Sequence, residues 1–372
     1  MLLSSLIGVL VEMIVDALAV TTVVLVGAIA FLAARSRAPD HSVYDSPRTA
    51  PVISDDDVSP QHDDVVRVLA EFNRTNTSKD IHVARKRMED LFYRDVDARI
   101  VPVSVDGIPG EWVLAERADP TQRLLYLHGG AFRVGSPRSH RLITSELSRR
   151  SGVAVLAVDY RMQPEVKTVQ CHEDARTAYR WILRNGPDGN SELKSLFVAG
   201  DSAGGNLTLS VIAWARDEGI RPVDGAVAFA PLTDATFSSP TWKANVKTDP
   251  FLGPGIGPLL SIPKFVIAIG SRWTSGRAVN DPMLSPLLGN LAALPKTLIQ
   301  VSRDEMLYGD SQRYANKAKA HGSEVTLQVW PRMVHVFQGF ADLPESSAAL
   351  AHAADFIKAQ IGRNEPVMAS DA

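Results

Sequence analysis

The sequence predicts an α/β protein with a mostly parallel, doubly wound central sheet. Short apolar runs alternate with helix-like segments from about residue 98 onward, and a glycine-rich turn joins one such run to a helical segment at Ser202. With 372 residues, of which 45% are hydrophobic, the chain can bury a large core. Ligand sites of such sheets lie at the carboxyl ends of the strands. Residues that carry chemistry are therefore expected just after the predicted strands.

The strands and helices are assigned from apolar runs and their periodicity. The predicted strands cover residues 100–105, 112–116, 123–128, 153–159, 195–200, 225–230, 298–301 and 325–330. The main predicted helices cover residues 173–184, 203–217 and 346–361.

The domain organisation follows from shifts in composition. We expect an apolar N-terminal segment (1–37), a linker rich in Pro, Ser and Asp (38–62), two cap helices (63–97), a catalytic domain (98–364) with a cap insertion at about 235–277, and a short tail (365–372).

Charge and cysteine content exclude several classes of function. The formal net charge of −3 gives no basic footprint, so no nucleic acid partner is expected. The single cysteine, Cys171, cannot form an internal disulfide, and no Cys/His spacing typical of a structural metal is present. A thiol nucleophile at Cys171 beside His172 is disfavoured, because the pair is expected in the loop that leads into the helix at 173–184.

Residues 17–34 carry no charge and are followed by Arg35 and Arg37. This length meets the lower limit for a membrane span, and the two arginines predict that the bulk of the chain lies on the cytoplasmic side. A cleaved signal peptide is disfavoured, since no basic residue precedes the apolar run. The alternative is a cytoplasmic protein in which this segment packs as a helix on the catalytic domain or on a partner chain. A homodimer is left open.

Ser202 lies in Gly200-Asp201-Ser202-Ala203-Gly204, between a predicted strand and a predicted helix. In that context a G-x-S-x-G pattern indicates a nucleophile elbow, which lifts the serine above the start of the helix. An ordinary glycine-rich turn is the alternative for the bare pattern, so the assignment depends on partners elsewhere in the chain.

Three other loops follow predicted strands and could supply those partners. His128-Gly129-Gly130 can direct backbone N–H groups at one point, as an oxyanion hole requires. Asp304 is the first candidate and Glu305 the second for a carboxylate that orients a histidine. His335, in the loop after the last strand, is the candidate base. The order along the chain is nucleophile, acid, histidine.

At these motifs the chain resembles the hormone-sensitive-lipase-like family of α/β-hydrolase esterases. The resemblance covers about residues 124–361 and includes the H-G-G and G-D-S-A-G-G-N motifs. The Asp304-Glu305-Met306-Leu307 sequence departs from the frequent Asp-Pro-Leu and resembles esterases near monoterpene lactone hydrolase. The departure leaves the choice between Asp304 and Glu305 open.

The resemblance implies an α/β-hydrolase fold with a helical cap and a carboxylic ester hydrolase that acts through an acyl-enzyme. It assigns Ser202, Asp304 and His335 as the catalytic triad, and the N–H groups of Gly129, Gly130 and Ala203 as the oxyanion hole. We expect short- to medium-chain esters or lactones as substrates, and no metal or organic cofactor. An amidase or lactonase on the same triad is the nearest alternative, and a non-catalytic small-ligand receptor on this fold is a more distant one.

Overall fold

The computed structural model describes residues 40–46, 58–75 and 78–361. The predicted membrane segment 17–34, much of the linker and the tail 365–372 lie outside the described residues. Among the helices described, none has the length and apolar character that crossing a bilayer requires.

One mixed sheet of eight strands runs through the described part of the chain. The strands are β1 (Arg99–Val105), β2 (Ile108–Leu114), β3 (Asp119–Leu127), β4 (Val153–Val158), β5 (Ser195–Asp201), β6 (Gly225–Phe229), β7 (Thr297–Ser302) and β8 (Val325–Trp330). Their order is β1-β2-β4-β3-β5-β6-β7-β8, and the neighbours from β4 to β8 are parallel. The α/β prediction is confirmed, and β5 lies at the centre with every residue buried.

Helices flank this sheet and cover its carboxyl edge. The longer ones are α1 (Gln61–Thr75), α2 (Ile81–Phe92), α3 (Arg141–Ser151), α4 (Thr168–Ile182) and α5 (Ala203–Asp217). The chain continues through α6 (Thr241–Ala244), α7 (Gly253–Ile256), α8 (Lys264–Ser275), α9 (Tyr308–Ala320) and α10 (Pro344–Lys358). Helices α1 and α2 correspond to the two predicted cap helices, whereas α6, α7 and α8 lie in the segment predicted as an insertion.

Apolar periodicity does not predict two of these helices, α3 and α9. The buried face of α3 mixes Ile143 and Leu147 with Thr144 and Ser148, and α9 buries mostly polar and small side chains. The helix α4 begins at Thr168, so the prediction that Cys171 and His172 lie in the preceding loop is wrong. Burial raises the pKa of the Cys171 thiol to about 12, which leaves it an unreactive core residue.

Part of the predicted linker packs against the domain. The short 3₁₀ turn at Ser42–Tyr44 lies on α9, where Asp45 pairs with Arg313 at 2.5 Å. The side-chain amide of Asn316 donates to the carbonyls of Tyr44 and Ser46. The segment has few apolar residues and is therefore not expected to pack on the domain. An ion pair and two hydrogen bonds to its backbone carbonyls hold it on α9 instead.

Helix α5 starts immediately under the end of β3 because Gly204 has no side chain. An added Cβ at Gly204 would come 1.9 Å from the carbonyl oxygen of Leu127, and one at Gly200 would come 2.4 Å from the same atom. This close approach sets the sharp turn at Ser202, which lies between the two glycines.

We expect Gly204→Ala to lower the free energy of unfolding by about 3 kcal/mol, because the new methyl group overlaps backbone that cannot move aside. Gly270→Ala is the matched control, since its Cβ would have no neighbour within 4 Å inside α8. That control should be neutral or stabilising by up to about 1 kcal/mol. Denaturant unfolding of both variants measures the difference, and equal effects would contradict the role of Gly204.

Candidate active site

Ser202 and His335 meet at the carboxyl edge of the sheet. The Nε2 atom of His335 lies 3.0 Å from the Oγ atom of Ser202, although the residues are 133 positions apart in sequence. His335 is almost fully buried in the loop after β8, while Ser202 is only partly covered. This is the hydrogen-bond contact that a serine nucleophile and its base require.

The carboxylate that contacts His335 belongs to Glu305. Its Oε1 atom lies 2.8 Å from His335 Nδ1, and its Oε2 atom accepts the backbone N–H of Ser302 at 3.0 Å. The prediction that Asp304 orients His335 is wrong. Asp304 instead accepts the backbone N–H of Arg332 at a half-exposed position.

The residues around Glu305 explain why Glu305, and not Asp304, is buried against His335. After β7 the loop buries Glu305, Met306 and Leu307 in sequence, while Arg303 remains in solvent. The buried carboxylate of Asp249 accepts the N–H groups of Met306, Phe251 and Leu252. Asp249 therefore connects the loop that carries Glu305 to the backbone at Phe251 and Leu252.

Burial and charge act in opposite directions on the His335–Glu305 pair. Burial alone would lower the pKa of His335, but the charge and hydrogen bond of Glu305 outweigh burial and raise it. Burial also raises the pKa of Glu305, and the contact with His335 offsets only part of that effect. Beside the carboxylate of Glu305, the imidazole of His335 therefore keeps a proton to higher pH than an isolated imidazole does.

Ser202 has the strained backbone of a nucleophile elbow, with φ of 52° and ψ of −114°. Its N–H donates to the carbonyl of Phe229 on β6, and its carbonyl accepts from Leu232. A non-glycine residue with positive φ costs free energy, which the surrounding hydrogen bonds must offset. In this conformation Ser202 immediately precedes the first turn of α5.

The loop after β3 brings further N–H groups to Ser202, but not all of the predicted ones. The N–H of Gly129 donates to Asp201 Oδ1 at 3.0 Å, so the prediction that it faces a substrate oxygen is wrong. The N–H groups of Gly130 and Ala131 have no acceptor among the described residues, and Gly130 and Ala131 line the cavity beside Ser202. Ala203, at the first position of α5, likewise has no intrahelical acceptor for its N–H.

Asp201 fixes the loop after β3 through hydrogen bonds. Its buried Oδ1 accepts the Tyr126 hydroxyl at 2.7 Å as well as the Gly129 N–H, and its Oδ2 lies 3.3 Å from His140 Nε2. Burial would lower the pKa of His140, but the charge of Asp201 outweighs it and raises that pKa. A Cβ on Gly129 would come 2.0 Å from Asp201 Oδ2, so the loop requires glycine there.

An apolar cavity of about 230 Å³ opens onto Ser202 and His335. Its walls come from α1, α2, the loop after β3 and the segment at α7. They include Phe72, Met88, Phe92, Phe251, Leu252 and Ile256. Sequence analysis predicted two cap helices and an insertion near the site, and the lining residues come from both.

The comparisons with known proteins agree with the α/β-hydrolase fold. Residues 124–339 match the family model for the α/β-hydrolase fold. The chain belongs to that family. An acetyl-hydrolase of Streptomyces hygroscopicus is 32% identical over 70% of this chain and 83% of its own length. An esterase of Acinetobacter venetianus is 32% identical over 72% of this chain and 84% of its own length.

The similar solved structures include members of the hormone-sensitive lipase family. An esterase of the bacterial hormone-sensitive lipase family has a TM-score of 0.72 and 32% identity, covering 82% of this chain and 99% of its own. The structure of EstE5 soaked with p-nitrophenyl butyrate has a TM-score of 0.71 and 34% identity, covering 81% and 99%. This α/β-hydrolase is therefore a carboxylesterase-type enzyme of the hormone-sensitive lipase family.

Sequence analysis does not predict the contacts that Asp201, His140 and Asp249 make in this α/β-hydrolase. Asp201 lies inside the elbow motif, so its place beside the nucleophile was visible, but its acceptor role depends on how the neighbouring loop folds. A signal for Glu305 was also present, since it precedes the apolar pair Met306-Leu307 whereas Asp304 follows Arg303. The acid on the apolar side of the turn is the one that becomes buried.

We expect Glu305→Gln to reduce kcat for p-nitrophenyl butyrate by about 10³- to 10⁴-fold, because a neutral amide neither fixes the imidazole tautomer nor stabilises its charge. Asp304→Asn is the matched control and should stay within about threefold of the native rate, since its carboxylate contacts only a surface N–H. Steady-state kinetics with circular dichroism as a folding check measure both. A large loss in Asp304→Asn with a silent Glu305→Gln would reverse the assignment.

Proposed function

We propose that Ser202, His335 and Glu305 are the nucleophile, base and acid of an ester hydrolase that works through an acyl-enzyme. The observation that carries this proposal is the contact of 3.0 Å between His335 Nε2 and Ser202 Oγ, on a strained elbow and with a buried carboxylate behind the imidazole. A family relationship to esterases supports the same reaction.

In the first half-reaction, Oγ of Ser202 attacks the ester carbonyl while His335 Nε2 takes its proton. The tetrahedral intermediate collapses when His335 returns that proton to the departing alcohol oxygen. In the second half-reaction a water molecule gives its proton to His335 and attacks the acyl carbonyl. The acid is released and Ser202 recovers its proton. Glu305 stabilises the imidazolium at both stages and keeps its own charge.

The N–H groups of Gly130 and Ala203, together with that of Ala131, are proposed to bind the oxyanion. Each lies next to Ser202 in the cavity wall or in the first turn of α5, with no acceptor among the described residues. Loss of one such donor typically raises the barrier by about 2.7 to 4 kcal/mol. Asp201 acts through Gly129 by fixing the loop and does not contact the reacting atoms.

Short to medium acyl chains suit the cavity best. Its volume of about 230 Å³ is below the usual range of about 300 to 1,000 Å³ for ligand pockets, and its walls are mainly apolar. At one side the ring of Phe251 packs against the rings of Phe72 and Phe92, with centroid distances of 6.3 and 5.9 Å. The soaking of EstE5 with p-nitrophenyl butyrate supports a small acyl group as the first substrate to test.

Membrane attachment through residues 17–34 is a further part of the proposal. Eighteen uncharged residues followed by Arg35 and Arg37 favour a span or anchor that leaves the catalytic domain on the cytoplasmic face.

A chain-length series of p-nitrophenyl esters tests the function. We expect kcat/KM for the butyrate or hexanoate to exceed that for the palmitate by at least about tenfold, because the long chain cannot be desolvated in a cavity of this size. A fluorophosphonate probe should label the native chain at Ser202.

Ser202→Ala is the control in the same series and should hydrolyse none of the esters above background while it remains folded. Retained turnover in Ser202→Ala would overturn the nucleophile. A preference for the palmitate would overturn the substrate class while leaving the triad intact.

A further inference from the structure

The cap segment before and within α8 exposes a regular apolar stripe. Its members recur every three or four residues, and each is 38 to 81% exposed. They are Leu259, Ile262, Val266, Ile269 and Trp273. Single exposed apolar side chains are ordinary on protein surfaces, whereas Val266, Ile269 and Trp273 recur along one face of α8 and follow two further exposed apolar residues. Such a group marks a surface that meets another apolar phase.

The charge of the same segment is one-sided. From residue 235 to residue 277 the acidic residue is Asp249, which is buried, whereas Lys243, Lys247, Lys264, Arg272 and Arg277 are exposed. Arg277 pairs with Asp281, and Lys264 contacts the carbonyl of Phe237. An apolar stripe with Trp and flanking cations is the composition of helices that lie in a membrane interface.

The described chain begins close to this surface. Asp45 pairs with Arg313, which donates to Ser238. The carbonyl of the preceding residue, Phe237, accepts from Lys264 at the start of α8. A short series of contacts thus leads from Asp45 to the first residue of α8.

The length of chain between the apolar run 17–34 and Asp40 limits the distance between them. Five residues lie between Ala34 and Asp40, and six Cα–Cα steps of at most about 3.6 Å each limit the separation to about 22 Å. A membrane that holds residues 17–34 therefore lies within about 22 Å of Asp40, close in sequence to Asp45, from which the contacts above lead to the start of α8.

We propose that the α8 face, defined by Leu259, Ile262, Val266, Ile269 and Trp273, docks on an anionic phospholipid surface. The apolar stripe enters the headgroup region and the cations contact lipid phosphates and anionic headgroups. The segment that carries the face also supplies Leu252, Gly255 and Ile256 to the cavity wall, so docking puts the cap of the site at the lipid surface. The proposal concerns binding and does not depend on the assignment of the triad.

An environment-sensitive fluorophore on Ile269→Cys in the full-length chain tests the proposal. Val83→Cys in α2 is the matched control, because Ile269 and Val83 are 42% and 41% exposed, and the native Cys171 is buried. With vesicles of phosphatidylcholine and phosphatidylglycerol, the label at position 269 should shift to a spectrum typical of an apolar environment. The shift should be weaker with phosphatidylcholine alone and absent at position 83.

A second pair of variants tests the charge contribution. Lys264→Gln with Arg272→Gln should raise the lipid concentration for half-maximal shift by about 25-fold, since each cation near an anionic surface contributes about fivefold. Lys194→Gln with Arg184→Gln, two exposed cations elsewhere, should leave it unchanged. Hydrolysis of p-nitrophenyl butyrate in solution checks that all variants are folded and separates this test from that of the triad.

Three results would overturn the proposal. The first is a spectral shift on adding vesicles that is absent at position 269 or equal at positions 269 and 83. The second is a spectral shift without lipid that grows with protein concentration, and the third is a label at position 269 that is already shielded from solvent without lipid at any dilution. The second result would indicate a second copy of this chain on the face, and the third would indicate that residues 17–34 pack there.

Discussion

The hydrogen bond between His335 and the buried carboxylate of Glu305 is the interaction on which the proposed chemistry depends. It joins the loops after β7 and β8, fixes which ring nitrogen carries the proton, and turns Nε2 toward Ser202. The carboxylate is itself held by the N–H of Ser302, so neither partner is free to rotate. Burial makes the pair costly to charge, and the contact offsets that cost only while both members are present.

A second buried acid–imidazole pair lies on the other side of the nucleophile. Asp201 and His140 hold the loop that follows β3, through the Gly129 N–H, in the way that Glu305 and His335 hold the base. The two pairs contact different parts of the site, one the proposed base and the other the loop that carries the proposed oxyanion donors Gly130 and Ala131. His335 contacts Ser202 and His140 contacts Asp201, and both of these adjacent residues lie in the turn that the close approach of α5 to β3 sets.

Sequence alone predicts the strands, the elbow and the two partners Ser202 and His335, because each depends on local patterns at strand ends. Motif matching does not separate Asp304 from Glu305, since adjacent carboxylates in one loop differ only in which side of the turn is buried, and the one local signal is the apolar pair Met306-Leu307 after Glu305. The N–H of Gly129 was assigned to the substrate because glycine content indicates where a loop can turn, not which acceptor each N–H finds. Helix α3 was missed for a related reason, as its buried Thr144 and Ser148 form hydrogen bonds inside the core and weaken the apolar period.

An NMR titration of the His335 imidazole in the native chain, Glu305→Gln and Asp304→Asn tests the central interaction most directly. A raised pKa means that the protonated ring persists to higher pH, so the native midpoint should lie above the ordinary imidazole value of 6.5. Glu305→Gln should lower that midpoint, since burial then acts without the opposing carboxylate, and Asp304→Asn should leave it in place. A native midpoint at or below 6.5, or one that moves with Asp304 and not with Glu305, would contradict the account.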